Sequence, residues 1–149
     1  MIQIEKVTTD IIDLIIDYIF ENQDKVEKVI NDFGEISSEN GYGTFFLKPN
    51  NPLFKVFWVY TAKDKVWSIG FGGTNLGLTL KELMSVYKCH NKQFIPYDNE
   101  YHYAFYKAEN STSCVKIRNK NKLDLDGIID DIAINDVDIT ILIENNSCH

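Results

Sequence analysis

The stretch that most constrains the fold is residues 65–87, KVWSIGFGGTNLGLTLKELMSVY, because it specifies a strand, a turn and a helix in succession. Its first part has the period of a half-buried strand, with one face formed by Trp67, Ile69 and Phe71. Four of the eight glycines then fall within residues 70–77, which indicates backbone with positive φ or a close approach to a neighbour. Thr79 and Glu82 have the spacing of a capping box. We therefore predict a strand, a glycine turn and a capped helix.

A glycine turn between a strand and a helix is also the setting of a phosphate-binding loop. Counted from Gly70, the third glycine of a dinucleotide fingerprint would fall on Asn75. Counted from Gly72, the GxxxxG is followed by Leu78, where a P-loop has the lysine that contacts the terminal phosphates. The sequence favours a structural turn. A small-ligand pocket or an enzyme active site at Gly72–Asn75 is the alternative function.

Periodicity along the rest of the chain predicts an α+β fold in a single domain, residues 1–149. A long N-terminal helix is expected over residues 10–33, either continuous or broken at residues 22–23, and a second, shorter helix follows the glycine turn. A mainly antiparallel β-sheet is expected from strands at residues 44–48, 54–61, 66–71, 101–107 and 113–118 and from one or two closing strands within residues 132–143. The strand at 54–61 is apolar on both faces, which predicts a central strand, and it is expected to form an antiparallel hairpin with the strand at 66–71. Polar segments at 35–42 and 89–100 are predicted to be loops.

The formal net charge of −7 argues against a general nucleic-acid binder and against binding to an anionic membrane. Residues 11–20 form the most apolar segment, which Asp13 and Asp17 interrupt and which is too short to span a bilayer. The N-terminus lacks the basic region and apolar core of a signal peptide. Three cysteines without CxxC spacing are typical of free thiols in a reducing compartment. We expect a cytoplasmic protein that contacts neither nucleic acid nor membrane.

No residue pattern carries a catalytic or metal-binding signature. Cys89 and His102 are a formal nucleophile and base, but no local motif supports that pairing. The adjacent pairs Cys89-His90 and Cys148-His149 lack the separations of zinc ligands. The acidic run at 124–131 lacks the residue order of an EF-hand loop. We predict a non-enzymatic protein with no cofactor and no metal ion.

Negative charge is concentrated in two segments of the sequence. Residues 7–24 and 123–149 hold five and seven acidic residues and no lysine or arginine, so the rest of the chain has a net charge of +5 (−7 less −12). The acids of the first segment recur at helical spacing: Asp10, Asp13, Asp17, Glu21 and Asp24. The second segment contributes Asp124, Asp126, Asp130, Asp131, Asp136 and Asp138. Packed together, the two segments would form an acidic surface for a basic partner; the alternative is that the charge only confers solubility.

The arrangement WSIGFGG…LGLTLKELMSVY, followed by the aromatic strand YHYAFY and a further strand, resembles small immunity proteins of bacterial polymorphic-toxin and contact-dependent growth inhibition systems. The resemblance covers about the middle third of the chain and transfers no functional residues. It implies a cytosolic α+β antitoxin that neutralises a cognate toxin, commonly a basic nuclease, by covering its active site or substrate surface. The predicted partner is therefore a basic toxin domain, and the acids named above are the expected contact residues.

Overall fold

The structure is a computed structural model that describes residues 4–72, 76–107 and 110–136. Within these residues there are three helices: α1 (Thr9–Asn22), α2 (Val26–Phe33) and α3 (Leu80–Val86). The same residues form eight strands: β1 (Gly34–Glu39), β2 (Thr44–Pro49), β3 (Val56–Ala62), β4 (Lys65–Gly72), β5 (Lys88–Ile95), β6 (Glu100–Lys107), β7 (Asn110–Asn119) and β8 (Asp131–Asp136). The predicted α+β class is confirmed.

All eight strands belong to one antiparallel sheet in the order β1-β2-β3-β4-β8-β7-β6-β5. Strands β1 to β4 form one meander and β5 to β7 form another, and β8 pairs with β4 on one side and β7 on the other. The predicted hairpin between β3 and β4 is confirmed, since Lys63 and Asp64 have φ angles of 53° and 61°, the left-handed values that a tight hairpin turn requires. The last described strand therefore lies in the middle of the sheet.

One side of the sheet carries the core and the three helices. In-register pairs place two apolar rows across it: Leu47, Phe57, Phe71, Ile132, Ile117 and Tyr103, then Val59, Ile69, Ile134, Val115 and Phe105. Every one of these side chains is buried. Helix α1 packs against β4 and β8, α2 against β1 to β4, and α3 against β5. We call this side the helix side and the opposite side, which none of the described helices covers, the uncovered face.

The N-terminal helical segment is broken after Asn22, which confirms the broken alternative of the prediction. Thr8 caps α1 by accepting a hydrogen bond from the Ile11 amide at 3.2 Å. At the other end, the buried Asn22 amide donates to the carbonyl of Tyr18 at 2.9 Å. The Asn22 carbonyl accepts from the Lys25 amide, which turns the chain before α2 begins. The break lets the two apolar stripes pack over different strands.

Two segments predicted to be loops are strands. Residues 34–39 form β1 and residues 88–95 form β5, and these two strands are the edges of the sheet. An edge strand pairs on one side only and tolerates polar side chains. The side chains of β1 after Gly34 are all exposed, so backbone pairing with β2, and not apolar alternation, holds this strand. The loop prediction failed because it relied on the alternation of apolar and polar residues, which these edge strands lack.

Trp67 does not share the face of Ile69 and Phe71, which corrects the sequence prediction. The pairing of β3 with β4 shifts register between Tyr60 and Thr61, so β4 carries an extra residue there. The Trp67 ring instead contacts Tyr60 edge-on, with 4.7 Å between ring centroids. Trp67 therefore lies on the uncovered face, since the in-register neighbours of Tyr60 face away from the helices.

Candidate functional site

The predicted acidic stripe of α1 divides into exposed and structural carboxylates. Its exposed members are Asp10, Asp17, Glu21 and Asp24. Asp13 is half-buried and accepts a short hydrogen bond from the hydroxyl of Tyr87, the residue that follows α3. Asp13 thus joins α1 to the end of α3. This hydrogen bond leaves its carboxylate only partly available to a partner.

The electrostatic surroundings of Tyr87 show how closely the stripe approaches α3. Burial raises the pKa of the Tyr87 hydroxyl well above its ordinary value of 10.0, and the hydrogen bond to Asp13 raises it further. The negative charges of Asp13, Asp17 and Asp10 act in the same direction. Asp13 therefore contacts the buried hydroxyl, and all three carboxylates of α1 favour its protonated form.

The C-terminal acids also divide into two groups. Those with exposed side chains are Asp124, Asp126 and Asp130. Asp131 is ion-paired with Arg118, with 2.9 Å between the carboxylate and a guanidinium nitrogen, and lies on the uncovered face. The side chain of Asp136 and the whole of Asp138 lie outside the described residues. The structure therefore leaves three described C-terminal acids available to a partner.

Helix α3 links the two acidic segments. The amides of Leu80 and Lys81 donate to the carbonyls of Gly127 and Leu125, at 3.1 and 2.8 Å, so the loop between β7 and β8 is fixed to the start of α3. The opposite end of α3 is fixed to α1 through Tyr87. Because seven residues of helix span about 10 Å, the contact of α3 with Asp13 and its contacts with the loop are separated by roughly that distance.

We define the acidic surface as six exposed carboxylates, of which four lie on or just after α1 and two in the segment 124–127 that α3 holds: Asp10, Asp17, Glu21, Asp24, Asp124 and Asp126. Within the described residues, no member of this set takes part in an ion pair. Their charges are therefore directed to solvent or to a partner. That the two acidic segments form one surface stays a prediction, and Asp13 and Asp131 are engaged by other residues of the fold.

The uncovered face carries an aromatic patch that the sequence interpretation missed. Phe46 and Val56 are 43% and 45% exposed. Trp58, which is in register with Phe46, and Tyr60 follow Val56 along the same face of β3. We call these residues, with Trp67, the aromatic face. Strand β3 is a central strand, as predicted, yet several of its apolar side chains on this face are exposed. Apolar residues on both faces of one strand were the available signal, and they indicate either burial or a binding surface.

The other half of the uncovered face is ionic. Arg118 lies between two carboxylates, with its Nε 3.2 Å from Glu100 and a terminal nitrogen 2.9 Å from Asp131. Burial lowers the pKa of Arg118, but the hydrogen bond to Asp131 and the charges of Asp131, Glu100 and Asp98 outweigh burial and raise it. His102 Nε2 lies 3.2 Å from an Asp98 oxygen. Glu100 and Asp131 are therefore engaged by Arg118, and Asp98 lies beside the His102 ring.

A metal ion has one geometrically acceptable location among the described residues. Ligand atoms of Asp98, Glu100 and His102 lie within 4.8 Å of one another. Glu100 is already paired with Arg118, and exposed acidic groups often cluster without binding metal. The cluster is best explained as part of the ionic network.

The hypothetical Cys89–His102 pair is excluded by the geometry. Cys89 is in register with Phe105 and faces the helix side, whereas His102 is in register with Arg118 on the uncovered face. Cys89 is moreover disulfide-bonded, so it carries no nucleophilic thiolate. The expectation of free thiols is wrong at Cys89, the one cysteine whose side chain the structure describes. That expectation was the main support for a reducing compartment.

The glycine junction has a structural explanation wherever it is described. A Cβ on Gly70 would overlap the indole ring of Trp58, and a Cβ on Gly72 would overlap the carboxylate of Asp131. Gly77 has a φ of 77°, which favours glycine. Residues 73–75, the centre of the alternative ligand site, lie outside the described residues. Close packing and backbone conformation account for Gly70, Gly72 and Gly77 without a ligand.

Comparisons of the chain with protein-family models, with curated proteins and with solved structures found no match. Among the residues that the structure describes, no helix has both the length and the apolar character needed to cross a membrane.

Replacing Arg118 with alanine should lower the free energy of unfolding by less than about 1 kcal/mol, because exposed ion pairs are weak. The Arg118 side chain is 48% exposed, so solvent screens both of its carboxylate contacts. Urea denaturation of R118A at low and high salt measures the effect. A loss above about 2 kcal/mol, unchanged by salt, would contradict the assignment of this network to a screened surface.

Proposed function

We propose that this protein is an immunity protein that binds a basic toxin domain, such as a nuclease, and neutralises it by occlusion. The observation that supports the proposal is the acidic surface, whose six carboxylates lack ion-pair partners within the described residues. A surface of one charge sign attracts a partner of the opposite sign and accelerates encounter with it. No reaction on a substrate is part of this mechanism.

The carboxylates would take the place of substrate phosphates in the basic cleft of a nuclease. A rigid arrangement favours this, since ordering flexible groups on binding costs free energy. The Tyr87–Asp13 hydrogen bond holds α1, and two backbone hydrogen bonds hold the loop with Asp124 and Asp126. These hydrogen bonds preorganise the acidic surface without using the carboxylates that form it.

The aromatic face is a rival interface for the same function. Tryptophan and tyrosine are frequent among the residues that dominate binding free energy, and exposed apolar patches mark interaction sites. An interface there would depend on Trp58 and Tyr60 and would be insensitive to the charges of α1. The two surfaces therefore make different predictions for the same partner.

The test uses the C-terminal domain of the protein encoded immediately upstream, mixed with the purified chain. We expect a one-to-one complex that abolishes the toxic activity. The double variant D17K/D124K should slow association at low salt about tenfold or more and weaken its salt dependence, because long-range attraction acts on the association rate. Surface plasmon resonance at several salt concentrations measures both quantities.

The matched control is E35K/E39K, which makes the same change in net charge on exposed positions of β1. Equal slowing by both variants would show that only net charge matters and would contradict the acidic surface. A faster dissociation in W58A/Y60A, with no effect of D17K/D124K, would assign the interface to the aromatic face. Absence of any complex with the wild-type chain would contradict the immunity function.

The proposal also expects the protein to act in the cytoplasm, where disulfides are rare. The disulfide of Cys89 stands against that location. The binding assay is therefore run with and without reductant. Neutralisation that survives reduction would be compatible with the cytoplasm, and neutralisation that requires the disulfide would indicate an oxidising compartment.

A further inference from the structure

A cavity of about 460 Å³ lies on the helix side, between α3 and the hairpin of β5 and β6. The rings of Tyr103 and Phe105 form its floor, with planes 11° apart and centroids separated by 6.4 Å. Leu80 and Met84 of α3 line one wall, and Leu123 lines another. The volume is within the range of about 300–1,000 Å³ that small-molecule sites occupy.

The cavity follows from the unequal cover of the sheet. Helices α1 and α2 pack against β1 to β4 and β8, whereas the seven-residue α3 is the described helix that packs against β5. Among the described helices, so short an element covers only part of the inner side of β5 and β6. The buried rings of Tyr103 and Phe105 lie beneath the hollow, which is open to solvent on one side.

The interior of the cavity is apolar, and its polar atoms are already satisfied where they are described. The Tyr103 hydroxyl accepts a hydrogen bond from the Leu123 amide at 2.9 Å. The Tyr87 hydroxyl donates to Asp13 and is therefore engaged by α1. An apolar ligand would displace water here without leaving a buried polar group unpaired.

The charged side chains that line the cavity are two lysines, whereas the nearest carboxylates named above act on Tyr87 from α1. Lys88 and Lys92 line the mouth of the cavity and are exposed, and neither forms an ion pair within the described residues. By register, Lys92 lies beside Tyr103 on the helix side. No carboxylate is among the lining residues. Two unpaired ammonium groups on a chain of net charge −7 give this opening a local preference for anions.

We propose that this cavity binds a small amphipathic carboxylate, of which a medium-chain fatty acid is the simplest example. Its alkyl chain would lie over Tyr103 and Phe105 between Met84 and Leu123, and its carboxylate would contact Lys92 and Lys88. The apolar lining supplies the affinity, and the lysines select the charge of the head group. This inference is independent of the proposed toxin binding.

The first experiment is a calorimetric titration of the full chain, under non-reducing conditions that keep the Cys89 disulfide, with three ligands of equal chain length. The ligands are decanoate, decanol and decylammonium, each kept below its micellar concentration. We expect decanoate to bind at least about tenfold more tightly than decylammonium, because charged hydrogen bonds to lysine favour the anion. Equal affinity for the two ions, or no binding of decanoate, would overturn the proposal.

Two variants and a control then locate the site. Lys92→Glu should weaken decanoate binding at least about tenfold, since an attractive charge becomes repulsive. Lys81→Glu makes the same charge change at an exposed position of α3 that does not line the cavity, and should leave the affinity within about twofold. An equal loss in both variants would overturn the assignment of the head group to Lys92.

Met84→Trp tests the cavity itself. Met84 is 45% exposed on a helix surface, so a larger side chain can be accommodated there while its ring blocks the opening. We expect decanoate binding to be lost while the thermal midpoint of unfolding is retained. Binding that persists in M84W would place the ligand elsewhere and overturn the proposal. No toxin is present in these titrations, so their failure leaves the immunity function untouched.

Discussion

Replacing Phe57 with alanine should lower the free energy of unfolding by about 3–5 kcal/mol, a large part of the stability of a small domain. Phe57 is 1% exposed at the centre of an aromatic cluster. Its ring stacks on Phe33 of α2 at 4.6 Å and on Phe71 of β4 at 5.8 Å, and Phe54 meets it edge-on at 5.6 Å. Truncation would leave a cavity at the junction of a helix and two strands, which these neighbours cannot fill.

The matched control is Phe46→Ala, which deletes the same side chain from the neighbouring strand. Phe46 lies on the uncovered face and is 43% exposed, so its loss should cost about 1 kcal/mol or less. Urea denaturation followed by circular dichroism gives both values. Comparable losses in the two variants would contradict the division into a helix side and an uncovered face, because Phe46 would then have to be buried.

Replacing Tyr87 with phenylalanine should lower the free energy of unfolding by about 1.5–3 kcal/mol, the usual range for a hydrogen bond to a charged group. Tyr87 is almost fully buried, and the variant keeps its ring while removing the donor to Asp13. The half-buried carboxylate would lose a partner. Tyr97→Phe is the control, since Tyr97 is 89% exposed and should be neutral within about 0.5 kcal/mol.

The same pair of variants gives a pH dependence of definite sign. Burial and the hydrogen bond to Asp13 raise the pKa of Tyr87 above its ordinary value of 10.0 in the folded state. Between these two pKa values the folded chain holds a proton that the unfolded chain has released, so stability falls as pH rises. The stability difference between wild type and Y87F should be constant below about pH 9 and should shrink above pH 10. A difference that grows at alkaline pH would contradict a protonated Tyr87 in the folded state.

The sequence predicts the elements that bury an apolar face. Helices α1 and α2, the hairpin of β3 and β4, and the cap of α3 by Thr79 all follow from periodicity and capping rules; the Thr79 hydroxyl accepts from the Glu82 amide at 3.2 Å. The edge strands β1 and β5 lack an apolar alternation, because the backbone hydrogen bonds to a single neighbouring strand hold them in place. Trp67 was placed on the wrong face because a bulge changes alternation without changing composition.

The functional surfaces were predictable only in part. Helical spacing aligned the acids of α1, but the hydrogen bond that withdraws Asp13 comes from Tyr87, 74 residues away. Likewise Asp131 meets Arg118 only through the pairing of β7 with β8. The cavity beside α3 depends on how little of the sheet a short helix covers, which is a property of packing. The positions of charged residues can be read from the local sequence, whereas their ion-pair and hydrogen-bond partners, and the cavities of the molecule, depend on the tertiary structure.

The central position of β8 has a consequence for the chain during synthesis. Residues 34–72 and 88–119 leave the ribosome before β8 does, and each of these two segments is able to pair locally as a meander. Until residues 131–136 emerge, β4 and β7 present unpaired backbone edges beside apolar side chains such as Ile69, Phe71, Val115 and Ile117. Such edges recruit other strands. A nascent chain paused before residue 131 is therefore the form most in need of a chaperone.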